Sequence, residues 1–358
     1  MADMKSFHFD GTEIAPGTGA EVSLKLADGP TGNPRSIPVY VIHGTKPGPV
    51  LALTAGIHGD ELNGVSVVHH LIHGDDHVAG TEDDRITRDE LAGTLICVPV
   101  VNIEGMLLEQ REAPDHRDIN RLFPGKENGN QSQRIADALF QGIVKRADYL
   151  IDLHSAPHSR TNLPHVRANF DDAKCMELAR AFGTHIILHS TGPKGSLRRE
   201  ASASGTPTIL LEAGTAHRFE MDAVIAGIEG VLNVMGHLGM VVRENLQPAV
   251  RLLVRRSKWA RAEAGGILYS LVGVGEHVKK GQKIALVTDP LGAKTHSIES
   301  PRTGVIVGMA LNPLVRAGDP IANIVLCSAA KWKRAQIEPD QGAPEEESVD
   351  DEESLDDA

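Results

Sequence analysis

The 358-residue sequence predicts an α/β fold: a mixed, mostly parallel sheet flanked by helices, then a small all-β module and an acidic tail. Three observations predict it. Apolar runs of strand length alternate with helical segments, as in a sheet covered on both faces. Beyond Met240 the period shortens, with Gly or Pro roughly every eight to twelve residues from Arg251 to Leu326. Charge is also partitioned. Eleven acidic residues lie between Glu338 and Asp357 and no Lys or Arg follows Arg334, which leaves 37 acidic against 36 basic residues in 1–337. The net charge of −12 therefore belongs to the tail. A near-neutral body disfavours a nucleic-acid partner, because phosphate binding needs clustered Lys and Arg.

The elements follow in order. Residues 1–37 mix Gly, Pro and polar residues with short alternating runs. Ser36 to Gly44 is a strand, Pro47-Gly48-Pro49 a turn, and Val50 to Ala55 a buried strand. Glu61 to His73 has helical spacing, with Leu62, Val65, Val68 and Leu71 on one face. Thr94 to Val101 is a buried strand. Ser132 to Lys145 is an amphipathic helix with Ile135, Ala138, Leu139 and Ile143 on one stripe. Tyr149 to Leu153 is a strand, Ala173 to Phe182 a helix, Thr208 to Leu211 a strand and Ala223 to Leu238 a helix. The expected units are 1–240, 241–330 and a disordered tail, 331–358, whose one-signed charge cannot build a core.

Aromatic residues make up only 3% of the chain, so its cores rest on Val, Ile, Leu and Ala. The longest apolar run, Pro49 to Ile57, falls short of the roughly 18–20 residues that span a bilayer, so no membrane partner is expected. The N-terminus shows no signal-peptide core. Cys97, Cys175 and Cys327 are widely spaced, as free thiols of a cytoplasmic protein would be.

Three constellations carry chemistry. His58-Gly59-Asp60-Glu61 follows a buried strand and precedes a helix, so its imidazole and carboxylate can bend around one cation. Ligands collect at such strand ends in open α/β sheets. His154 ends another strand and is the best third ligand, and two His with one Glu form a catalytic zinc set. The second constellation is Arg117-Asp118-Ile119-Asn120-Arg121 with Phe123-Pro124-Gly125. Asn120 and Arg121 suit a carboxylate, and Asp118 suits the far nitrogen of a metal-bound imidazole. Arg111 and Arg117 add positive charge. The third is Leu211-Glu212-Ala213-Gly214, a carboxylate at a strand end that can take a proton from water and return it to a leaving amine. Taken singly, the first two also read as solvated loops, His154 as a structural histidine and Glu212 as an ordinary strand-end carboxylate in water. Lys194, Arg198 and Arg199 read equally as a specificity loop or a solvated one.

In this order the motifs resemble the succinylglutamate desuccinylase/aspartoacylase family of the zinc carboxypeptidase clan. The similarity covers roughly Ile37 to Met240 and the module after it. The resemblance implies a zinc carboxypeptidase-like fold and one zinc per chain, held by His58, Glu61 and His154. It implies Glu212 as general base and acid, Asn120 and Arg121 as the substrate-carboxylate site, and Arg111 as a donor to the scissile carbonyl. Arg117 is an extra cation, and His217 is a candidate substrate contact. His116 stands where relatives often carry Gly.

Gly275 to Gln282 and Ser300 to Val305 resemble barrel-sandwich modules that carry lipoyl or biotinyl groups. Lys294 lies near the carrier position but lacks the flanking residues of a modified lysine. The module is expected to wall the site or to mediate contacts in a homo-oligomer. The leading expectation is a cytoplasmic zinc amidohydrolase that cleaves a linear amide in a small, anionic N-acyl amino acid. Acetyl, succinyl and other acyl groups stay open, a diamino-acid deacetylase among them. The alternatives are a zinc carboxypeptidase acting on peptides and a non-catalytic protein that retains the metal. The tail is expected to aid solubility and to be dispensable for chemistry.

Overall fold

The structure is a computed structural model that describes residues 5–29, 31–74, 86–157, 159–243, 247–248, 250–336 and 345–349. A short hairpin, β1 (Phe7–Phe9) and β2 (Thr12–Ile14), precedes β3 (Thr18–Lys25), β4 (Ser36–His43) and β5 (Lys46–Ala55). Then come α1 (Asn63–His73), β6 (Ala92–Val98), α2 (Ile103–Leu107) and α3 (Gln131–Gly142). Next are β7 (Tyr149–Ala156), β8 (Arg160–Ala168), α4 (Ala173–Phe182) and β9 (Ile186–His189). The helices α5 (Leu197–Ala203) and α6 (Met221–His237) flank β10 (Thr208–Thr215).

The large sheet is parallel at its centre, where β10, β7, β5 and β6 lie side by side, and antiparallel toward β4 and β3. On one face α1, α4 and α6 bury Val68, Leu71, Leu178, Phe182, Ile228 and Val231 against the strands. On the other face α3 and α5 bury Ile135, Leu139 and Leu197 together with Phe9 and Ile14 of the first hairpin. Covering on both faces is what lets β6 be buried at every residue. The fold class is thus as the sequence predicts.

Beyond α6 the chain forms β11 (Val250–Val254), β12 (Ser257–Arg261), β13 (Gly266–Ser270), β14 (His277–Val278) and β15 (Lys283–Thr288). It continues through β16 (Thr295–Glu299), β17 (Gly304–Ala310), β18 (Leu314–Val315), β19 (Pro320–Leu326), α7 (Ala329–Ala335) and β20 (Glu345–Val349). A four-stranded antiparallel sheet, β16-β15-β13-β18, packs over β12, β17 and β19 around Ile284, Val287, Ile306 and Ile324. Those last three strands are not separate from the large sheet. β17 pairs antiparallel with β8, so hydrogen bonding runs unbroken from the first unit into the module.

Three differences from expectation have physical causes. β8 carries Pro164, His165 and two Arg, so it shows no apolar run. β11 lies past Met240 yet pairs parallel with β9 of the large sheet. The tail expected to be disordered from residue 331 is ordered where it is described: α7 runs to Ala335 with Trp332 buried, while 337–344 and 350–358 lie outside the described residues. Residues 345–349 form β20 parallel to β11, with Glu346 accepting from Arg180 at 2.7 Å and from Arg251 at 3.0 Å. Arg251 is 2% exposed, and its charge needs that partner.

Candidate active site

Both ends of the first constellation are set by packing. Gly59 lies against the backbone of α2, where a Cβ would come within 2.1 Å of the Gly105 carbonyl carbon, so only glycine lets this turn sit there. Asn63, at the start of α1, donates to Ser155 Oγ at 3.0 Å and to the Thr215 carbonyl at 3.2 Å, and accepts from the Glu220 amide at 2.8 Å. That side chain ties the turn to the carboxyl ends of β7 and β10.

His58, Glu61 and His154 are buried and offer ligand atoms within 4.8 Å of one another. Glu61 Oε1 lies 2.7 Å from His58 Nδ1, and Glu61 Oε2 lies 2.8 Å from His154 Nδ1. Each ring is held from behind. Asp118 Oδ1 sits 3.2 Å from His58 Nε2, and Asp152 Oδ2 sits 2.9 Å from His154 Nε2. Thr54 in turn donates to Asp152 Oδ1 at 2.7 Å. A carboxylate on Nε2 fixes the proton there and turns Nδ1 inward as an acceptor, the arrangement of metal-binding imidazoles. His58 Nδ1 is buried without a hydrogen bond of acceptable geometry, despite its nearness to Glu61. Two inward nitrogens and a carboxylate fit a zinc-type cation.

The electrostatics agree. Burial pushes the Glu61 carboxyl up, but His58 and His154 more than offset it and hold it well below the usual carboxylate range. Burial also disfavours charge on the imidazoles, yet Glu61 raises His58, and Asp152 with Glu61 raises His154 well above the ordinary value. A cation binding here would displace those protons.

The three residues line a cavity of about 360 Å³ that also holds Arg111, Asn120, Arg121 and Glu212. Glu212 reaches it through a bulge in β10. Pairing with β8 slips between Glu212 and Gly214, and Gly214 takes a positive φ of 70°. Bulges of this kind re-aim a side chain beside a site. Asn162 Nδ2 donates to Glu212 Oε2 at 2.9 Å, and Arg167 Nε lies 3.4 Å from Oε1.

Arg111 donates to Glu61 Oε1 at 2.8 Å and to Asp118 Oδ2 at 3.4 Å, so it borders the ligand cluster. The Asn120 amide donates to Asp118 Oδ1 at 2.8 Å, and Asn120 Oδ1 accepts from the Leu197 amide at 2.8 Å. Arg121 donates to the Asn120 carbonyl and lies 3.7 Å from Asp118. His116 takes the left-handed φ of 58°, a conformation glycine adopts freely, so the loop keeps its turn despite the side chain.

Two candidates lie elsewhere. Arg117 is 56% exposed, 3.8 Å from Asp115, and outside the cavity lining. His217 donates its amide to the Asp60 carbonyl, and its Nε2 lies 3.8 Å from Asp60 Oδ2, also outside the lining. Neither lines the cavity.

Sequence reasoning gives no role to Asp152, Arg160, Asn162, Arg167 or Ser190, and it leaves Arg198 open between a solvated loop and a specificity loop. Arg198 is instead 5% exposed on α5 and donates to Ser190 Oγ at 2.9 Å. Burial and then the Arg167 charge push its guanidinium down to about 10. The two-residue spacing of Asp152 and His154 on one strand face is the available signal for Asp152. The module contributes Ser257, Trp259 and Asn323 to the lining, with Arg160 stacked 5.2 Å from the Trp259 ring. Five guanidinium groups against two carboxylates give the cavity a cationic lining.

Residues 47–238 match the family model for the succinylglutamate desuccinylase/aspartoacylase catalytic domain. The chain is 28% identical to the N-alpha-acetyl-L-2,4-diaminobutyric acid deacetylase of Halomonas elongata, over 80% of this chain and 85% of that protein. It is similar to a succinylglutamate desuccinylase/aspartoacylase structure from Rhodobacter sphaeroides, with TM-score 0.76 and 25% identity, covering 87% of this chain and 95% of that one. The product-bound ectoine utilization protein EutE (DoeB) of Ruegeria pomeroyi shares the fold, with TM-score 0.76 at 22% identity over 86% and 95% of the chains.

Proposed function

We propose that this chain, which belongs to the succinylglutamate desuccinylase/aspartoacylase family, is a zinc-dependent deacylase that hydrolyses the amide bond of a small, anionic N-acyl amino acid. The observation that carries this reading is one cavity lined by the His58, Glu61 and His154 cluster and by Glu212, and walled by the module. The relative from Halomonas elongata makes acetyl the first acyl group to test. A cavity of about 360 Å³ walled on one side by Ser257, Trp259 and Asn323 favours a small substrate over a peptide, and its Arg lining favours an anion.

His58, Glu61 and His154 would hold the zinc, which when bound polarises a carbonyl and makes water acidic near neutral pH. Glu212 accepts a proton from the attacking water as the oxygen bonds to the amide carbon. It returns that proton to the nitrogen as the carbon–nitrogen bond breaks, which leaves a carboxylic acid and an amine that pass on the remaining proton to become a carboxylate and an ammonium ion. Arg111 donates to the developing oxyanion, a contact worth about 3–4 kcal/mol in comparable sites. Asn120 and Arg121 hold the substrate carboxylate. Arg117 and His217 have no part in this scheme, since both lie outside the cavity lining.

Replacing Glu212 with Gln tests the scheme. Zinc should stay stoichiometric by elemental analysis while hydrolysis of an N-acetyl amino-acid panel falls by about 10²–10⁴-fold. Near-normal turnover in Glu212→Gln would overturn the assignment.

A further inference from the structure

We infer that Asn162 is a positioning residue for Glu212 and that Gly308 of the all-β module seats Asn162, so the module acts on the chemistry through the general base. The inference rests on the reading of Glu212 given above.

Asn162 lies on β8, between β10 and β17. Toward β10 its Nδ2 donates to Glu212 Oε2 at 2.9 Å. Among the described residues no hydrogen bond of good geometry reaches Oε1, whose neighbour is Arg167 Nε at 3.4 Å. Asn162 therefore commits one carboxylate oxygen and leaves the other to take the proton.

Toward β17, Asn162 stands opposite Gly308. A Cβ at Gly308 would lie 2.8 Å from Asn162 Oδ1, closer than carbon and oxygen approach in folded chains. The missing side chain is the space that the carboxamide fills. On its other side Gly308 pairs with Asn323, whose Cβ would stand 3.7 Å from the same point, and Asn323 pairs with Trp259. Asn162, Asn323 and Trp259 all line the cavity. A transverse row therefore runs from Gly214 of β10 through Asn162 and Gly308 into the module, and from that row the Asn162 side chain reaches Glu212. Any residue but glycine at its centre pushes Asn162 toward Glu212 or off it.

The test compares Asn162→Ala, Gly308→Ala and the double variant in the zinc-loaded, full-length protein. Asn162→Ala should lower kcat about tenfold with KM within about twofold, as expected for a lost hydrogen bond to a charged group. Asn162→Ala should add less than about twofold in a Glu212→Gln background, whereas a merely structural loss would be additive there. Gly308→Ala should reproduce the loss in kcat and add less than about twofold in the Asn162→Ala background, where the clash is gone. If Gly308→Ala alone fails to fold, recovery of folding in the double variant supports the inference, and no recovery overturns the part given to Gly308. An unchanged kcat in Asn162→Ala, or fully additive losses in either double variant, overturns the inference. If Glu212→Gln is inactive while Asn162→Ala keeps its kcat, only the positioning role falls. If Glu212→Gln turns over normally, the base assignment falls first.

Discussion

At the scale of single residues, the site is built by fixing nitrogens. Asp118 and Asp152 each take the outer nitrogen of one imidazole, and Glu61 bridges the inner ones. His58, Glu61, His154 and Glu212 are legible in the sequence because each sits where a short apolar run stops. Asn162, Arg167 and Arg198 are not, because nothing in their neighbourhood repeats with a strand or helix period. His165 shows the cost of placing an imidazole without a carboxylate. Burial, then the Arg167 charge, push it down to about 3. The folded state keeps it neutral while the unfolded chain protonates it near its ordinary value of about 6.5. Between those values the unfolded state binds the extra proton, so stability is full above about pH 6.5 and falls as pH drops, by up to about 1.4 kcal/mol per unit. His165→Gln should flatten that decline. Urea midpoints at pH 7.5 and pH 5 measure it, and an unchanged difference between them would count against His165 as its source.

At the scale of elements, β10 and β20 hold what composition conceals. The bulge in β10 has no sequence signal, since Ala213-Gly214 after an apolar run also describes an ordinary strand end. β20 is hidden by its charge, because five residues rich in glutamate do not resemble a strand. What holds it is a parallel ladder to β11 and the grip of Arg180 and Arg251 on Glu346. Removing residues 338–358 strips a buried guanidinium of its carboxylate. The loss should be about 1–3 kcal/mol, since Glu346 is partly solvated. The melting temperature should fall by several degrees in a calorimetric scan, with hydrolysis at 25 °C nearly intact. An unchanged melting temperature would mean that β20 adds nothing to the fold.

At the scale of the whole molecule, the periodicity change near Met240 is real in composition but not in hydrogen bonding. β8 pairs with β10 on one side and β17 on the other. Ile186, Leu188 and Leu252 of the large sheet close the seam against Val305, Val307 and Val325 of the module. A chain ended at residue 256 would bare the β8 edge and the apolar side of that seam. It should self-associate on size-exclusion chromatography and fail to hydrolyse substrate. A monomeric, active fragment would show that the first unit is self-sufficient.

The shared strand also imposes a schedule. Synthesis proceeds from the N-terminus at about 5–20 residues per second. His58, Glu61 and His154 are therefore made well before Gly308, and for roughly ten seconds or more Asn162 has Gly214 of β10 but no Gly308 to rest against. On the reading proposed for Asn162, a growing chain can bring these three side chains together in that interval but cannot yet aim Glu212, and competence waits until Gly308 has left the ribosome.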